Sequence, residues 1–352
     1  MKKILLKSIV GGTCILGITA ASTGTVLAQS YSATFAYFDS NVDFQLPAAE
    51  AFKNYIEVAT DGDMEINITT VGGLGGDERE VLDQLRLGEL QFMTPNAGGL
   101  AGAFPAAQVW NLPFLFAGRH IAWKVFQDRE YISLVNDQIQ ADTNGQLRFL
   151  GAAENSVRHL YTTRGPIREP SDLDSEGIKI RTMQAPMHQA VWTELGAPSV
   201  VALPAAERYT GLQTGLIDAT EGGLNSAWNA GLLEVADYVS LTAHMYDVTS
   251  YIVSNSFFES LPEQYQRIVE EASSLAIDVQ NSHALIEDNK ALTRIIEAGK
   301  TVVEPNAEER AAWRELAEPV GREFVGEVAD PDFMQATLDT VSRVENSFYT
   351  QQ

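Results

Sequence analysis

MEINITTVGGLGGDEREVLDQLRLGELQFM, residues 64–93, carries the pattern that decides the fold. Met64, Ile66 and Ile68 alternate with polar residues, the period of a half-buried strand. A glycine loop, Gly72-Gly73-Leu74-Gly75-Gly76, leads into a stretch that puts Val81, Leu82 and Leu85 on one helical face, and Leu90 to Met93 reads as a further strand. Upstream, Ala33 to Phe38 reads as a strand. Leu46, Ala49, Phe52, Tyr55, Ile56 and Ala59 form a helical stripe that stops at Asp61-Gly62-Asp63. The order β-α-β-α-β predicts a parallel sheet with right-handed crossovers.

The alternation restarts after Gly151. Strands are expected near Val157–Thr163, Ile178–Arg181, Val200–Leu203, Ile217–Thr220 and Tyr238–Leu241, around helices that begin near Pro186, Pro204 and Asn225. Two α/β units in series account for this most simply. Between them Asn111-Leu112-Pro113-Phe114-Leu115-Phe116 is apolar but holds a proline, which reads as a buried linker or edge. From Glu263 to Ala298 there is no glycine or proline, and apolar residues keep helical spacing. One helix of that length spans about 54 Å. It either braces both units or breaks at an unmarked point, and the brace is the favoured reading. Two helical patterns over 306–347, interrupted at Pro319 and at Asp330-Pro331, are expected to pack on the second unit.

The first residues, with Lys2, Lys3 and Lys7, an apolar run from Ile9 to Ala21 and the small-residue end Val26-Leu27-Ala28, read as a cleaved secretory signal over 1–28. Glycines, threonines and serines interrupt the run too often for a retained anchor. The single cysteine, Cys14, lies inside that segment, and Gly11-Gly12-Thr13 before it lacks the start of a lipoprotein box. Loss of the three lysines leaves 21 basic residues against 47 acidic ones, a formal charge of −26. That balance excludes a phosphate-backbone partner. An anionic ligand then needs a locally positive pocket.

Catalytic signatures are missing. The histidines, His120, His159, His188, His244 and His283, show no His-x-x-x-His or Glu-x-x-His spacing, and no Gly-x-Ser-x-Gly elbow occurs. Gly299-Lys300-Thr301 has Arg294 where a phosphate-binding loop starts with glycine, so it reads as a helix C-terminus. A periplasmic enzyme using Glu78, Asp77 or Glu221 as acid and base is the rival class, and nothing pairs these with a nucleophile or metal. What remains is Arg181, at the end of the strand Gly177-Ile178-Lys179-Ile180, where open α/β sheets bind ligands. Its fork fits a carboxylate bidentately, although arginines at strand ends are also commonly surface ion pairs.

Several stretches together are similar to one family: Gly75-Gly76-Asp77-Glu78-Arg79-Glu80-Val81-Leu82, the run Asn111–Phe116, the strand ending at Arg181 with Pro186 after it, Tyr209-Thr210-Gly211-Leu212-Gln213-Thr214-Gly215-Leu216-Ile217-Asp218-Ala219, and Leu241-Thr242-Ala243-His244. In this order, over essentially the whole mature chain, the sequence resembles the DctP-type solute-binding proteins of tripartite ATP-independent periplasmic (TRAP) transporters. The resemblance implies an α/β, two-lobed periplasmic-binding-protein fold with a long interlobe helix. Its lobes would be 29–155 with 248–287, and 156–247 with 288–352, and the helix near 263–298 would span both. It implies capture of a small organic anion, delivery to TRAP permease membrane subunits, a periplasmic location, and neither cofactor nor metal.

By the same resemblance the carboxylate clamp falls on Arg181 and an assisting arginine on Arg158, whose alternative is a salt bridge to Glu154 or Glu221. A polar position falls on Asn96, where Pro95 leaves a plain turn as the rival, and the closing segment on Thr220-Glu221-Gly222-Gly223-Leu224-Asn225. Glu221 and Asn225 join the ligand set, with N-capping the alternative for Asn225. Glu78 and Phe38 complete it. Phe38, Trp110, Trp228 and Tyr246 are candidates to wall the cleft, against a core role. The chain departs from the family pattern where Gly222 and Gly223 replace Asn and Pro, leaving the missing amide to Glu221, Asn225, backbone or water. It departs again where Ala205 replaces a phenylalanine. Both departures predict a ligand unlike sialic acid or a C4-dicarboxylate, larger or bearing hydroxyl or amino groups.

Overall fold

Ala33 and Phe35 on one face of the first strand and Ala36 on the other are all buried, so this strand has a core on each side. The computed structural model describes residues 31–38, 44–75, 78–183 and 185–349; the expected signal segment 1–28, Gly76, Asp77 and Gln184 lie outside them. Along the chain come β1 (Tyr31–Tyr37), α1 (Gln45–Ala59), β2 (Met64–Thr70), α2 (Glu78–Leu87), β3 (Phe92–Thr94) and α3 (Ala97–Leu100). Then follow α4 (Arg119–Gln127), α5 (Arg129–Asp142), β4 (Leu147–Thr162), α6 (Ser171–Ser175), β5 (Lys179–Thr182), α7 (Pro186–Glu194) and β6 (Ser199–Ala202). The second half holds α8 (Arg208–Gln213), β7 (Ala219–Gly222), α9 (Leu224–Asn229), β8 (Tyr238–Ser254), α10 (Asn255–Ser260), α11 (Glu263–Glu297), β9 (Thr301–Val303), α12 (Ala307–Val328) and α13 (Pro331–Tyr349).

The described strands form one mixed sheet, β2-β1-β3-β8-β4-β7-β5-β6, with β9 on β8. β1 pairs parallel with β2 and β3, and β5 parallel with β6 and β7, as the two βα runs predict. Joining them are two long antiparallel strands, β4 and β8, where only the end segments 157–163 and 238–241 were expected. Their middle parts carry Glu154, Asn155, Arg158 and Asp247, and the register shifts between Glu154 and Ser156 and between Arg158 and Leu160. Buried polar residues and bulges erase the alternation that marks a strand in sequence.

α11 is unbroken, about 52 Å long at the usual helical rise. Ile268, Val269, Ala272, Ala276 and Ile277 seat it in the core with Phe35 and Phe52; Ala291 and Ile295 seat its far end in a different core with Leu212, Ala227 and Val239. Between these patches it is polar where it crosses β4: Gln280 Nε2 donates to the Glu154 carbonyl (2.9 Å), and Asn281 Oδ1 accepts from the Glu154 amide (2.8 Å). At the crossing Gly151 has φ +142°, and a Cβ there would come within 2.5 Å of Ile277 Cδ1, so glycine sets how closely helix and strand approach.

Two other expectations are corrected. Pro319 does not interrupt the C-terminal helices but lies exposed inside α12, and α13 packs on α4 and α5 instead of joining α12 on the second unit. The run 111–116 lies outside the sheet, as the linker reading expects: Pro113 is buried, Phe114 takes φ +54°, and its amide donates to the His244 carbonyl. No helix among the described residues is long and apolar enough to cross a membrane.

Candidate functional site

A cavity of about 590 Å³ opens beside the β4–β8 crossing. Strand ends and helix starts from both halves supply most of its walls: Phe38 after β1, Asn96 before α3, Asn155, Ser156 and Arg158 on β4, Arg181 on β5, Arg208 on α8, Gly222, Gly223 and Asn225 around α9, Asp247 on β8 and Asp288 on α11. Its volume falls in the range of small-ligand sites.

Arg181 is 4% exposed. Its Nε donates to the Leu203 carbonyl (2.8 Å), as does Nη2, and among the described residues no carboxylate lies within salt-bridge reach. Burial pushes its guanidinium down to about 10, with Glu221 opposing and Arg208 and Arg158 adding to the effect. A cation held by a neutral carbonyl in a cavity wall is a charge awaiting a counterion.

Arg158 is already committed. Its Nε and Nη2 reach the two carboxylate oxygens of Glu221 at 2.5 and 2.8 Å, and Nη1 lies 3.5 Å from Asp247 Oδ2. Burial works against its charge, but Glu221 outweighs burial and holds it raised. Glu221 has no exposed surface; burial would raise its pKa, yet Arg158 holds it well below the usual carboxylate range. The salt-bridge alternative for Arg158 is therefore the observed one, while the residue also lines the cavity. Glu221 stands behind the wall, also reached by Thr182 Oγ1 at 3.2 Å, with neutral buried His244 at 3.6 Å.

Asn96 caps α3, accepting from the Gly99 amide at 2.7 Å, and still faces the cavity. Glu78 does not: its carboxylate accepts from the Asn96 amide at 2.9 Å and meets the Asn96 side chain at 3.4 Å, so it supports the wall from behind. Asn225 lines the cavity with its Nδ2 buried and unbonded; it does not cap α9, whose capping position is Gly223. Of the aromatic candidates only Phe38 lines this cavity, joined by Phe44. Trp110 is in the core, donating to Tyr131 Oη at 2.7 Å; Trp228 packs on the α9 core; Tyr246 donates to Glu154 Oε2 at 2.9 Å.

Sequence reading missed Arg208, Asp247 and Asp288. Arg208 Nε donates to the Ala205 carbonyl (3.2 Å) and Nη2 to Ser226 Oγ (3.3 Å). Asp288 Oδ2 is 3.1 Å from Arg119 Nη2, and Oδ1 accepts weakly from the Asn225 amide at 3.4 Å. Arg119 also reaches Glu154, whose pKa burial raises to about 7. The one signal for the two aspartates is position: both fall where long elements cross between the sheet halves, which spacing alone does not reveal. Among the described residues no cluster of His, Cys, Asp and Glu is arranged to hold a metal.

A pocket at strand carboxyl ends, walled by both halves of a sheet and holding a buried arginine, has the arrangement of a binding receptor. The model of the bacterial extracellular solute-binding proteins, family 7 (DctP), matches residues 35–327, and the chain belongs to this family of TRAP transporter receptors. It is 29% identical to the 2,3-diketo-L-gulonate-binding periplasmic protein YiaO of Escherichia coli over 96% of this chain and 99% of that protein. It is 28% identical to the ectoine-binding periplasmic protein TeaA of Halomonas elongata, over 88% and 90%. Among solved structures, a TRAP periplasmic solute-binding protein from Ochrobactrum anthropi, with a C-terminus bound in its ligand pocket, superimposes with a TM-score of 0.83 at 28% identity, covering 91% and 97%. The fold is the two-lobed α/β fold of these receptors, and the family binds solutes instead of transforming them. Family members are periplasmic.

Proposed function

We propose that this protein captures a small organic acid in the 590 Å³ cavity, with Arg181 as the carboxylate clamp, and delivers it to a TRAP permease. The observation that carries this reading is Arg181 itself: buried, fixed by the Leu203 carbonyl, and without a carboxylate partner among the described residues. Arg158 shapes the same wall while paired to Glu221, and Asn225 Nδ2 offers a donor to ligand oxygens. The relatives named for diketogulonate and ectoine support an anionic or zwitterionic solute. In this reading the lobes, 29–155 with 248–287 and α13, and 156–247 with the far end of α11 and α12, close over the ligand. Closure excludes water and strengthens the charge pair in lower dielectric. A cleaved signal over 1–28 would deliver the chain to the periplasm.

The test is a thermal-shift screen against organic acids on the wild type and Arg181→Ala. A ligand that binds only the folded state raises the melting temperature by mass action. A shift lost in Arg181→Ala supports the clamp; a shift that survives removes Arg181 from the role.

A further inference from the structure

Arg119 starts α4 and does not itself line the cavity, yet its guanidinium joins elements that meet behind the wall. Nη1 lies 3.1 Å from Glu154 Oε1 on β4, and Nη2 donates to Asp288 Oδ2 on α11 at 3.1 Å. The second oxygen of Asp288 carries the link onward: Oδ1 accepts from the Asn225 amide at 3.4 Å, at the start of α9. The capping position there is Gly223, which offers no side-chain acceptor, so Asp288 supplies from α11 what the start of α9 lacks.

This link ends at the one side chain that the closing segment turns to the cavity. Of residues 220–225 only Gly222, Gly223 and Asn225 line it, and the two glycines bring no side chain. Asn225 is 2% exposed, with Nδ2 unbonded. Two successive glycines also leave the chain entering α9 with wide backbone freedom, so the place of Asn225 is fixed from outside the segment. The other end of the link is firm. Glu154 Oε2 accepts from Trp123 Nε1 and Tyr246 Oη, both at 2.9 Å, and its backbone is bonded to Gln280 and Asn281 of α11. Arg119 is thus gripped at the β4–α11 crossing and reaches Asp288 with its second nitrogen.

Resting on the receptor reading, we infer that Arg119 is a positioning residue for the ligand site: acting through Asp288, it sets where the start of α9, and with it Asn225 Nδ2, stands in the cavity wall. The same guanidinium therefore couples β4, where its register shifts next to Glu154, to the segment that faces the ligand.

Hydrogen exchange followed by NMR in the ligand-free protein tests the chain of contacts. In Asp288→Ala and in Arg119→Gln the Asn225 amide should exchange at least about tenfold faster than in the wild type, while the amides of Ile180 on β5 and Val239 on β8 keep their rates. Arg119→Lys should return part of the protection. Calorimetric titration with gluconate and with ectoine adds the binding side. A probe that binds the wild type should bind Arg119→Gln at least about fivefold more weakly, and in an Asn225→Ala background Arg119→Gln should add little further loss. An unchanged Asn225 rate in both variants overturns the inference, as does acceleration in Arg119→Gln without acceleration in Asp288→Ala. Acceleration spread evenly over β5, β8 and α9 overturns it as well, because it marks Arg119 as structural only. So does an affinity loss undiminished by Asn225→Ala. None of these results touches the receptor reading, which an empty thermal-shift screen would count against while leaving the exchange result in force. If neither probe binds the wild type, the exchange rates decide alone, and if Arg119→Gln does not fold, Asp288→Ala and Arg119→Lys decide.

Discussion

Glu221 is sealed from solvent and accepts two bonds from Arg158, so each charge depends on the other. Glu221→Gln would leave Arg158 buried with only the longer Asp247 contact, a loss expected to cost about 3–5 kcal/mol in urea unfolding. A cost below about 1 kcal/mol would show that Asp247 alone sustains Arg158. Glu154 gives a pH signature. Burial raises its pKa to about 7, so between the ordinary 4.5 and 7 the folded state binds more protons than the unfolded one. Stability from this group is full below 4.5 and falls as pH rises through 7, by at most roughly 3 kcal/mol. His159 and His188, pushed down to about 3 chiefly by burial, act in the opposite sense between 3 and 6.5. The readout is therefore the difference between wild type and Glu154→Gln, which should grow from pH 4.5 to 7; a flat difference would refute the assignment. At this scale Arg181 was legible because a strand's carboxyl end is a rule of the fold class. Arg208 was not, because only packing brings it to the cavity wall beside Gly222, fourteen positions away in sequence.

Elements were legible where one period ran uninterrupted. The short strands β1, β2, β3, β5 and β6 and the long helix α11 follow their patterns; β4 and β8 do not, because their central residues face a polar crossing instead of an apolar core. Pro319 misled in the other direction. Proline ends most helices, but here α12 continues through it on the exposed face, while its buried residues Trp313, Ala317, Gly321 and Val325 hold the helix from the inner side. Tertiary packing overrides the local penalty, and the penalty persists as stored instability. Pro319→Ala restores an amide donor in mid-helix and should stabilise the protein by about 1–3 kcal/mol in denaturant titration. Destabilisation would mean that the proline sets a bend α12 needs for packing on α7.

The whole molecule is strongly acidic, 47 Asp and Glu against 24 Lys and Arg, yet its cavity gathers three arginines, Arg158, Arg181 and Arg208. Distant like charges are screened within about 10 Å at 0.1 M salt, whereas buried pairs are not. Added salt should therefore raise stability by relieving self-repulsion before it weakens the buried Arg158–Glu221 and Arg119–Asp288 pairs. Binding links to shape through α11. Its two apolar patches fasten it to separate cores, and the two halves of the sheet are otherwise joined through the bulged middles of β4 and β8, where a closing motion is expected to fall. Those bulges lie between Glu154 and Leu160, beside the cavity wall that carries Arg158. A ligand that bridges Arg181 on one side and Asn96 on the other favours the closed arrangement by its differential affinity for it. Small-angle scattering should accordingly show a smaller radius of gyration with saturating ligand, and Arg181→Ala should abolish the change at the same ligand concentration. An unchanged radius in a protein shown by calorimetry to be saturated would mean that the cavity is preformed, and that β4 and β8 act as a rigid frame instead of a hinge.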